Sequence, residues 1–163
     1  KLVNIVDFDN EMINNIVLQI KSLKKKCDAI VCSLHWGYEF EFYPTVKQQR
    51  IARKLADSGA DLILGHHPHV IQAHEYYLNV YGKIVPIYYS LGNLLNPYTA
   101  KYLCNSLLVN ISFSENKNGK ICISNVSESL IEQKWNGGKV VLEERDIPKT
   151  GNGLRFITSL TKF

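Results

Sequence analysis

The stretch that decides the fold is residues 60–69, which reads Ala60-Asp61-Leu62-Ile63-Leu64-Gly65-His66-His67-Pro68-His69. Four of its first five residues are apolar, the pattern of a short strand covered on both faces, and a histidine cluster follows after Gly65. A second apolar stretch of this kind, residues 29–34, ends at His35. The two stretches predict buried strands that each carry histidine at the C-terminal end.

A helix is predicted between these two strands. Thr45 and Gln48 form a capping box after Pro44, and Gly59 is a typical helix stop. A strand, a helix and a strand in this order form a βαβ unit with parallel strands, whose C-terminal ends share one edge of the sheet. Open α/β sheets bind ligands at that edge. Four of the five histidines are therefore expected in one crevice, namely His35, His66, His67 and His69.

The elements before this unit continue the alternation of strand and helix. Residues 2–7 read as a strand, and residues 9–26 have apolar positions at the spacing of one helical face. Asp9 or Asn10 is the expected N-cap of this helix. Residues 1–69 are thus predicted to form an α/β part.

Residues 70–163 are predicted to be mainly β. One hairpin is expected around Gly82 and another around residues 116–119, and a further strand covers residues 139–144. No linker or repeat marks a boundary between domains. We predict a single partial domain over residues 1–163, with the N-terminal half of the domain absent.

Composition narrows the class of protein. The chain has 163 residues, 45% hydrophobic and 21% charged, which suits one globular domain. A net charge of +4 is too mild to indicate nucleic-acid binding, and no stretch approaches the roughly 20 apolar residues of a membrane span. The four cysteines lie far apart, which favours buried free thiols over a disulfide.

The histidines suggest a metal site. Pro68 disfavours a helical conformation for His67, so His67 and His69 are expected to flank an extended residue and to project to one side. Paired imidazoles suit Zn, Mn, Fe or Ni. The alternative is that these are surface or hydrogen-bonded core histidines, and spacing alone leaves both interpretations open. Asp61 begins its strand and is expected at the opposite end of the sheet, whereas Glu39 follows His35 on the correct edge.

Four groups of residues occur in a distinctive order and spacing. They are His35-Trp36-Gly37-x-Glu39, then Pro44 and Gln49, then the run from Gly59 to Val70, and finally Tyr89-Ser90-Leu91-Gly92-Asn93. In order and spacing they resemble the CapA (PGA_cap, poly-γ-glutamate capsule biosynthesis) family, a branch of the calcineurin-like metallophosphoesterases. The resemblance covers about residues 1–113.

This resemblance implies an α/β fold: the C-terminal half of a four-layer α/β/β/α metallophosphoesterase-like fold, with βαβ units followed by antiparallel hairpins. It implies a site for two divalent ions, Mn, Fe or Zn, in which His35 and His67 bind one ion and His69 the other. The family's upstream aspartate and asparagine-histidine motifs do not occur here. The expected partner is therefore the missing N-terminal half of the domain or a completing chain, and this fragment alone is expected to be inactive.

Substrate contacts are expected from Glu39, His66, Ser90 and Asn93, although loop hydrogen bonding by His66 and turn capping by Ser90 and Asn93 are alternatives. Trp36 is expected to be a packing residue. The catalytic residues are not identified.

Three functions are compatible with the sequence. The first is a metal-dependent hydrolase of phosphoester or amide bonds in capsule or poly-γ-glutamate synthesis. The second is a non-catalytic subunit of a capsule or polyglutamate assembly complex, with synthase subunits as partners and no nucleic acid. The third is a structural α/β fragment with incidental histidines. The family resemblance favours the cell envelope, at the extracytoplasmic face of the membrane.

Overall fold

The computed structural model describes residues 9–97 and 100–147. The helices and strands are, in chain order, α1 (Asn10–Leu23), β1 (Val31–His35), α2 (Val46–Ser58), β2 (Leu62–His66), β3 (His74–Leu78), β4 (Ile84–Tyr88), a short 3₁₀ helix (Lys101–Leu103), β5 (Asn105–Glu115), β6 (Ile121–Asn136) and β7 (Lys139–Asp146). The strand predicted at residues 2–7, and the chain beyond residue 147, lie outside the described residues.

The first sheet has four strands in the order β1-β2-β4-β3. Strand β2 is parallel to both β1 and β4, and β3 is antiparallel to β4. The register of β1 on β2 runs from Val31 opposite Leu62 to His35 opposite His66. The predicted parallel strand pair of the βαβ unit and the first predicted hairpin are confirmed.

Local capping explains where the two helices begin. The Asp9 side chain accepts a 2.7 Å hydrogen bond from the Met12 amide at the start of α1. At the start of α2, Thr45 Oγ1 accepts from the Gln48 amide, while Gln48 Oε1 accepts from the Thr45 amide. Helix α2 ends at Gly59, whose φ of 114° is a left-handed conformation that glycine adopts without steric cost. The predicted capping box and stop are confirmed.

The second sheet is antiparallel, in the order β5-β6-β7, and packs on the first. The apolar contact between the sheets centres on Leu62, Tyr88 and Leu107. The apolar faces of α1 and α2 pack on the other side of the first sheet, against residues such as Ile63 and Ile87. The described residues thus form three layers, α/β/β, and the predicted α/β class is confirmed; the fourth expected layer is not among them.

A buried polar cluster also joins the two sheets. The Tyr88 hydroxyl donates a 2.5 Å hydrogen bond to Glu128 of β6, and Nε2 of His74 lies 3.6 Å from the same carboxylate. Burial lowers the pKa of His74, while Glu128 acts in the opposite direction. His74, the fifth histidine, is therefore part of the packing between the sheets.

One expectation about β1 was wrong. The strand was predicted to be covered on both faces, but Val31, Ser33 and His35 are exposed, and Val31 keeps 47% of its accessible surface. Among the described strands β1 is an edge strand, and its Leu34 packs in the core on the side of the helices, whereas Val31, Ser33 and His35 point to the opposite face.

The four cysteines are free thiols, as predicted, but they are not all buried. Cys104 is buried, Cys27 is exposed, and Cys32 and Cys122 are half-buried. Burial, with the nearby Asp61 carboxylate, raises the pKa of Cys32 to about 11, so this thiol stays protonated at neutral pH.

Asp61 anchors the end of the first sheet that lies opposite the histidines, as the sequence predicts. Its carboxylate is 1% exposed, accepts from the Ile30 amide at 2.8 Å and from Lys24 Nζ at 2.9 Å, and pairs with Lys83. Burial alone would raise the pKa of Asp61, but the hydrogen bonds from Lys83, Lys24 and Ile30 outweigh it and hold the pKa below its usual value.

We expect the Asp61→Asn variant to lose about 2 kcal/mol of unfolding free energy at neutral pH, because charge-assisted hydrogen bonds are removed. A carboxylate with a lowered pKa in the folded state stabilises the fold above its unfolded pKa, and this contribution is lost as the pH falls through the folded pKa. Urea unfolding from pH 7 to acid pH should therefore show the wild type and the variant converging below about pH 4. A gap that stays constant with pH would contradict this account.

Candidate metal centre

The side chains of His35, His67 and His69 lie together at the C-terminal edge of the first sheet. His35 and His66 are register partners at the ends of β1 and β2. The imidazole of His35 lies 4.5 Å from that of His67, and His67 lies 6.0 Å from His69, measured between ring centroids. The crevice expected from the βαβ unit therefore exists, while metal binding by His35, His67 and His69 stays a prediction.

The backbone on either side of Pro68 is left-handed, which the sequence does not predict. His67 has a φ of 103° and His69 a φ of 62°, both in the left-handed region that non-glycine residues rarely adopt. Each such residue costs on the order of 1 kcal/mol or more and persists only where the surroundings hold it. The two rings lie on one side of the chain, 6.0 Å apart, as predicted.

Two of the imidazoles in this crevice, those of His35 and His66, favour their neutral forms. Burial lowers the pKa of His35, and the neighbouring His67 and His69 lower it further. Burial lowers the pKa of His66 too, and His35 adds to this effect. Neutral imidazole is the form that binds a metal ion, so the lowered pKa of His35 suits its predicted role as a ligand.

Asn93 determines which ring nitrogen of His69 carries a proton. The Asn93 Nδ2 group donates to the carbonyl oxygens of His69, at 3.0 Å, and of Leu103, at 3.1 Å. Carbonyl oxygens only accept, so the other end of the amide, Oδ1, must face His69 Nδ1 at 2.7 Å and accept its proton. His69 therefore carries a proton on Nδ1, and Nε2 is the ring nitrogen that lies on the side of Glu39.

The second sheet holds Asn93 in place. The backbone amide of Asn93 donates to the carbonyl of Asn105 at 3.2 Å, and the backbone amide of Leu107 donates to the carbonyl of Leu91 at 2.8 Å. Further along the chain, the side chain of Gln133 in β6 accepts a 2.8 Å hydrogen bond from the Asn96 backbone amide and donates one of 2.8 Å to the Asn96 carbonyl. The loop after β4 is thus fastened to β5 and β6, which couples the second sheet to the orientation of His69.

The other predicted substrate contacts differ in accessibility. Glu39 is exposed, and its Oε1 lies 3.8 Å from His69 Nε2. His66 is half-buried beside His35. Ser90 is only 1% exposed, and its hydroxyl accepts a 3.3 Å bond from the Gly92 amide, so the structure supports the turn-capping alternative. The substrate contacts of all four residues, Asn93 included, stay predictions.

Trp36 is a packing residue, as expected. It is 4% exposed, its indole nitrogen donates to the Tyr89 carbonyl at 3.0 Å, and its ring stacks on that of Tyr89. Sequence reasoning missed Phe40, whose ring lies 5.9 Å from that of His69 and whose φ is 64°. Nothing in the local sequence marks a phenylalanine for this conformation, because it depends on contacts with residues far along the chain.

None of the helices in residues 9–97 and 100–147 is long and apolar enough to cross a membrane.

Comparison with known proteins extends the motif resemblance. The chain is 39% identical over 101 residues to the PGA biosynthesis protein CapA of Bacillus subtilis (strain 168), an alignment covering 62% of this chain and 25% of that protein. It is 42% identical over 72 residues to the capsule biosynthesis protein CapA of Bacillus anthracis, covering 44% of this chain and 16% of that protein.

A third relative, titled "Probable polyglutamine synthesis accessory protein", from Mycobacterium tuberculosis, is 27% identical over 88 residues, which are 54% of this chain and 22% of that protein. The chain thus spans a quarter or less of the length of these relatives. The model of the family described as "Bacterial capsule synthesis protein PGA_cap" matches residues 4–98. This range is more than half of the chain and contains the motifs quoted above. This chain belongs to the bacterial capsule synthesis protein (PGA_cap) family.

Proposed function

We propose that this chain forms part of a CapA-like protein of capsule or poly-γ-glutamate synthesis, and that its histidine crevice binds divalent metal ions used to hydrolyse a phosphoester or amide bond. The observation that carries the proposal is the convergence of His35, His67 and His69 at the ligand-binding edge of a parallel sheet. The names of the two Bacillus relatives, a PGA biosynthesis protein and a capsule biosynthesis protein, support the biological process.

The donor set fits Mn, Fe or Zn, because neutral imidazoles suit these ions and a carboxylate, Glu39, lies within reach of two of them. His35 and His67 would hold one ion and His69 the other. Bound ions would supply Lewis acidity and a water of lowered pKa. Asn93 would orient His69 by keeping the proton on Nδ1, and His66, beside His35, would contact an anionic substrate group.

The proposed source of further ligands is the N-terminal half of the domain or a completing chain, and this chain spans a quarter or less of its relatives. We place the protein at the cell envelope, on the extracytoplasmic face of the membrane, on the strength of the family alone. Synthase subunits of the capsule or polyglutamate machinery are the proposed partners.

The expected result is Mn²⁺-dependent hydrolysis of 4-nitrophenyl phosphate by the full-length protein, abolished by a chelator and reduced at least about 100-fold in the His67→Ala variant. A γ-glutamyl peptide tested in parallel distinguishes amide from phosphoester chemistry. Circular dichroism of the variant controls for folding. Bound metal without turnover on either substrate would contradict the hydrolase.

The name of the mycobacterial relative favours a second candidate, a non-catalytic subunit that uses the metallophosphoesterase-like fold as a binding surface. This candidate predicts that the purified protein binds a synthase subunit with an affinity that His67→Ala leaves unchanged, and that it shows no hydrolysis. Titration calorimetry with that subunit measures the difference. Turnover that depends on His67 would exclude this second candidate.

A further inference from the structure

We infer that the groove between α1 and α2 binds a linear polycarboxylate, the chemical class of poly-γ-glutamate, through Lys47, Arg50 and Lys54. The inference rests on the proposed function, since capsule or poly-γ-glutamate synthesis provides a polymer of this class. It goes further by assigning a binding surface outside the histidine crevice, and this surface requires neither a bound metal ion nor hydrolysis.

The groove lies in the helical layer and has a volume of about 310 Å³. The exposed side chains of Lys47, Arg50 and Lys54 line it. These three residues follow one another at intervals of three and four positions, which places them on one face of α2, about 4.5 and 6 Å apart along the helix axis. They form the cationic row of α2.

The charges of the cationic row are not compensated by the chain itself. Within residues 9–97 and 100–147, none of the carboxylates forms an ion pair with a member of the row. Lys54 Nζ donates a 2.8 Å hydrogen bond to the side-chain oxygen of Asn14 on α1, which is a neutral partner. The row therefore presents three positive charges to a ligand in the groove.

The position of the row along α2 opposes the helix dipole. The first turn of a helix favours acidic residues and the last turn favours basic ones, and α1 follows this rule with Glu11 and Lys21. Helix α2 has no acidic residue in its first turn, which contains Lys47, and no basic residue in its last turn. Helix stability thus does not explain the row, and departures from local rules are expected at functional sites.

The floor of the groove suits a polymer that contains methylene groups. Ile13 of α1 and Ile51 of α2 line the groove, and each is only 5% exposed. A γ-linked glutamyl residue has two methylene groups and one carboxylate, and its five backbone bonds span roughly 6 Å when extended. This repeat is close to the spacing of the cationic row, so successive carboxylates can reach successive cations.

A polycarboxylate fits this groove better than a nucleic acid does. The phosphates of a nucleic acid are closely spaced, and its binding surfaces are broad basic patches. The groove instead combines an apolar floor with only three cations. Arg50, in the middle of the row, has a planar guanidinium group that matches a carboxylate with two parallel hydrogen bonds.

The groove leads to the edge of the sheet that carries the histidines. Helix α2 connects the end of β1 to the start of β2, so its first turn lies at the same edge as His35 and His66. Lys47 is in that first turn, and Lys54 lies about two turns further from the edge. A polymer bound along the row is therefore directed towards the crevice.

The test is the binding of fluorescently labelled poly-γ-glutamate to the full-length protein, measured by fluorescence anisotropy in about 0.15 M NaCl, where the Debye length is about 8 Å. The row variant combines Lys47→Gln, Arg50→Gln and Lys54→Gln. It is expected to weaken binding at least about 30-fold, since each exposed charge contact contributes roughly threefold.

The matched control combines Lys21→Gln, Lys25→Gln and Lys26→Gln, which removes the same charge from exposed lysines at the other end of α1. It is expected to bind the polymer within about threefold of wild type, because these lysines lie outside the groove. Thermal unfolding shows that both variants are folded. Equal weakening by the two variants overturns the inference, because the effect is then one of overall charge. Binding of a DNA duplex as tightly as the polymer also overturns it.

The His67→Ala variant separates the groove from the proposed metal function. It is expected to bind poly-γ-glutamate within about twofold of wild type, whereas a loss as large as that of the row variant would place the polymer in the crevice and overturn the groove. If the wild-type protein hydrolyses 4-nitrophenyl phosphate but does not bind the polymer, the groove is overturned and the hydrolase stands. Binding through the row without turnover supports the groove and contradicts the hydrolase.

Discussion

The Gly65→Ala variant is expected to lose about 3 kcal/mol of unfolding free energy, the upper part of the usual range for overpacking a core. Gly65 lies in β2, where a Cβ would overlap the Tyr89 carbonyl and come within 2.6 Å of the Trp36 indole nitrogen. The carbonyl belongs to the backbone and cannot swing away, and it already accepts the bond from Trp36. The overlap can be removed only if β2 moves away from the chain that continues β4.

This substitution should disturb the histidines as well as the core, because Gly65 directly precedes the cluster His66 to His69. Urea unfolding measures the stability, and the control is Gly82→Ala. At Gly82 nothing lies within 4 Å of a new Cβ, so only its φ of 71° opposes alanine, at a cost of about 1 kcal/mol. Equal losses in the two variants would show that the close approach at Gly65 is unimportant.

The Arg53→Met variant is expected to lose about 3 kcal/mol, because it leaves a buried carboxylate without its counter-charge. Arg53 of α2 forms two hydrogen bonds with Glu75 of β3, at 3.1 and 2.9 Å, and the Glu75 side chain is only 6% exposed. The Tyr89 hydroxyl donates to the same carboxylate at 2.5 Å. We expect the lower part of the range for broken buried pairs, since Arg53 itself is 40% exposed.

The double variant Arg53→Met with Glu75→Gln is expected to recover most of the loss, because the uncompensated charge is then absent. Arg50→Met is the matched control, since Arg50 is an exposed arginine one helical turn earlier on α2. It should change the unfolding free energy by less than about 0.5 kcal/mol. A loss for Arg53→Met as small as that of the control would mean that water solvates Glu75 after all.

Elements with strong local signals could be predicted from the sequence. Asp9 and the Thr45–Gln48 capping box start the two helices because their side chains satisfy amide groups within one turn. Gly82 and residues 116–119 mark the hairpins for similar local reasons. Even the crevice was predictable, because a βαβ unit between residues 29 and 66 puts both strand ends on one edge.

The errors and omissions concern contacts between distant residues. The exposed face of Val31 follows from the place of β1 at the sheet edge, which an apolar run does not reveal. The sequence contains the motif around Asn93. The hydrogen bonds between the Asn93 side chain and His69 and Leu103, however, depend on the packing of β5. A local pattern contains no information about which carbonyl a side chain will face after two sheets meet.

The candidate site divides in the same way. The family, the α/β order and the strand-end position of His35, His67 and His69 can be predicted from the residues alone, because capping, periodicity and the chirality of the βαβ unit act over short distances. The hydrogen bond between His69 Nδ1 and Asn93 and the approach of Glu39 to His69 depend on the tertiary structure, because hydrogen bonds between segments far apart in the chain set both.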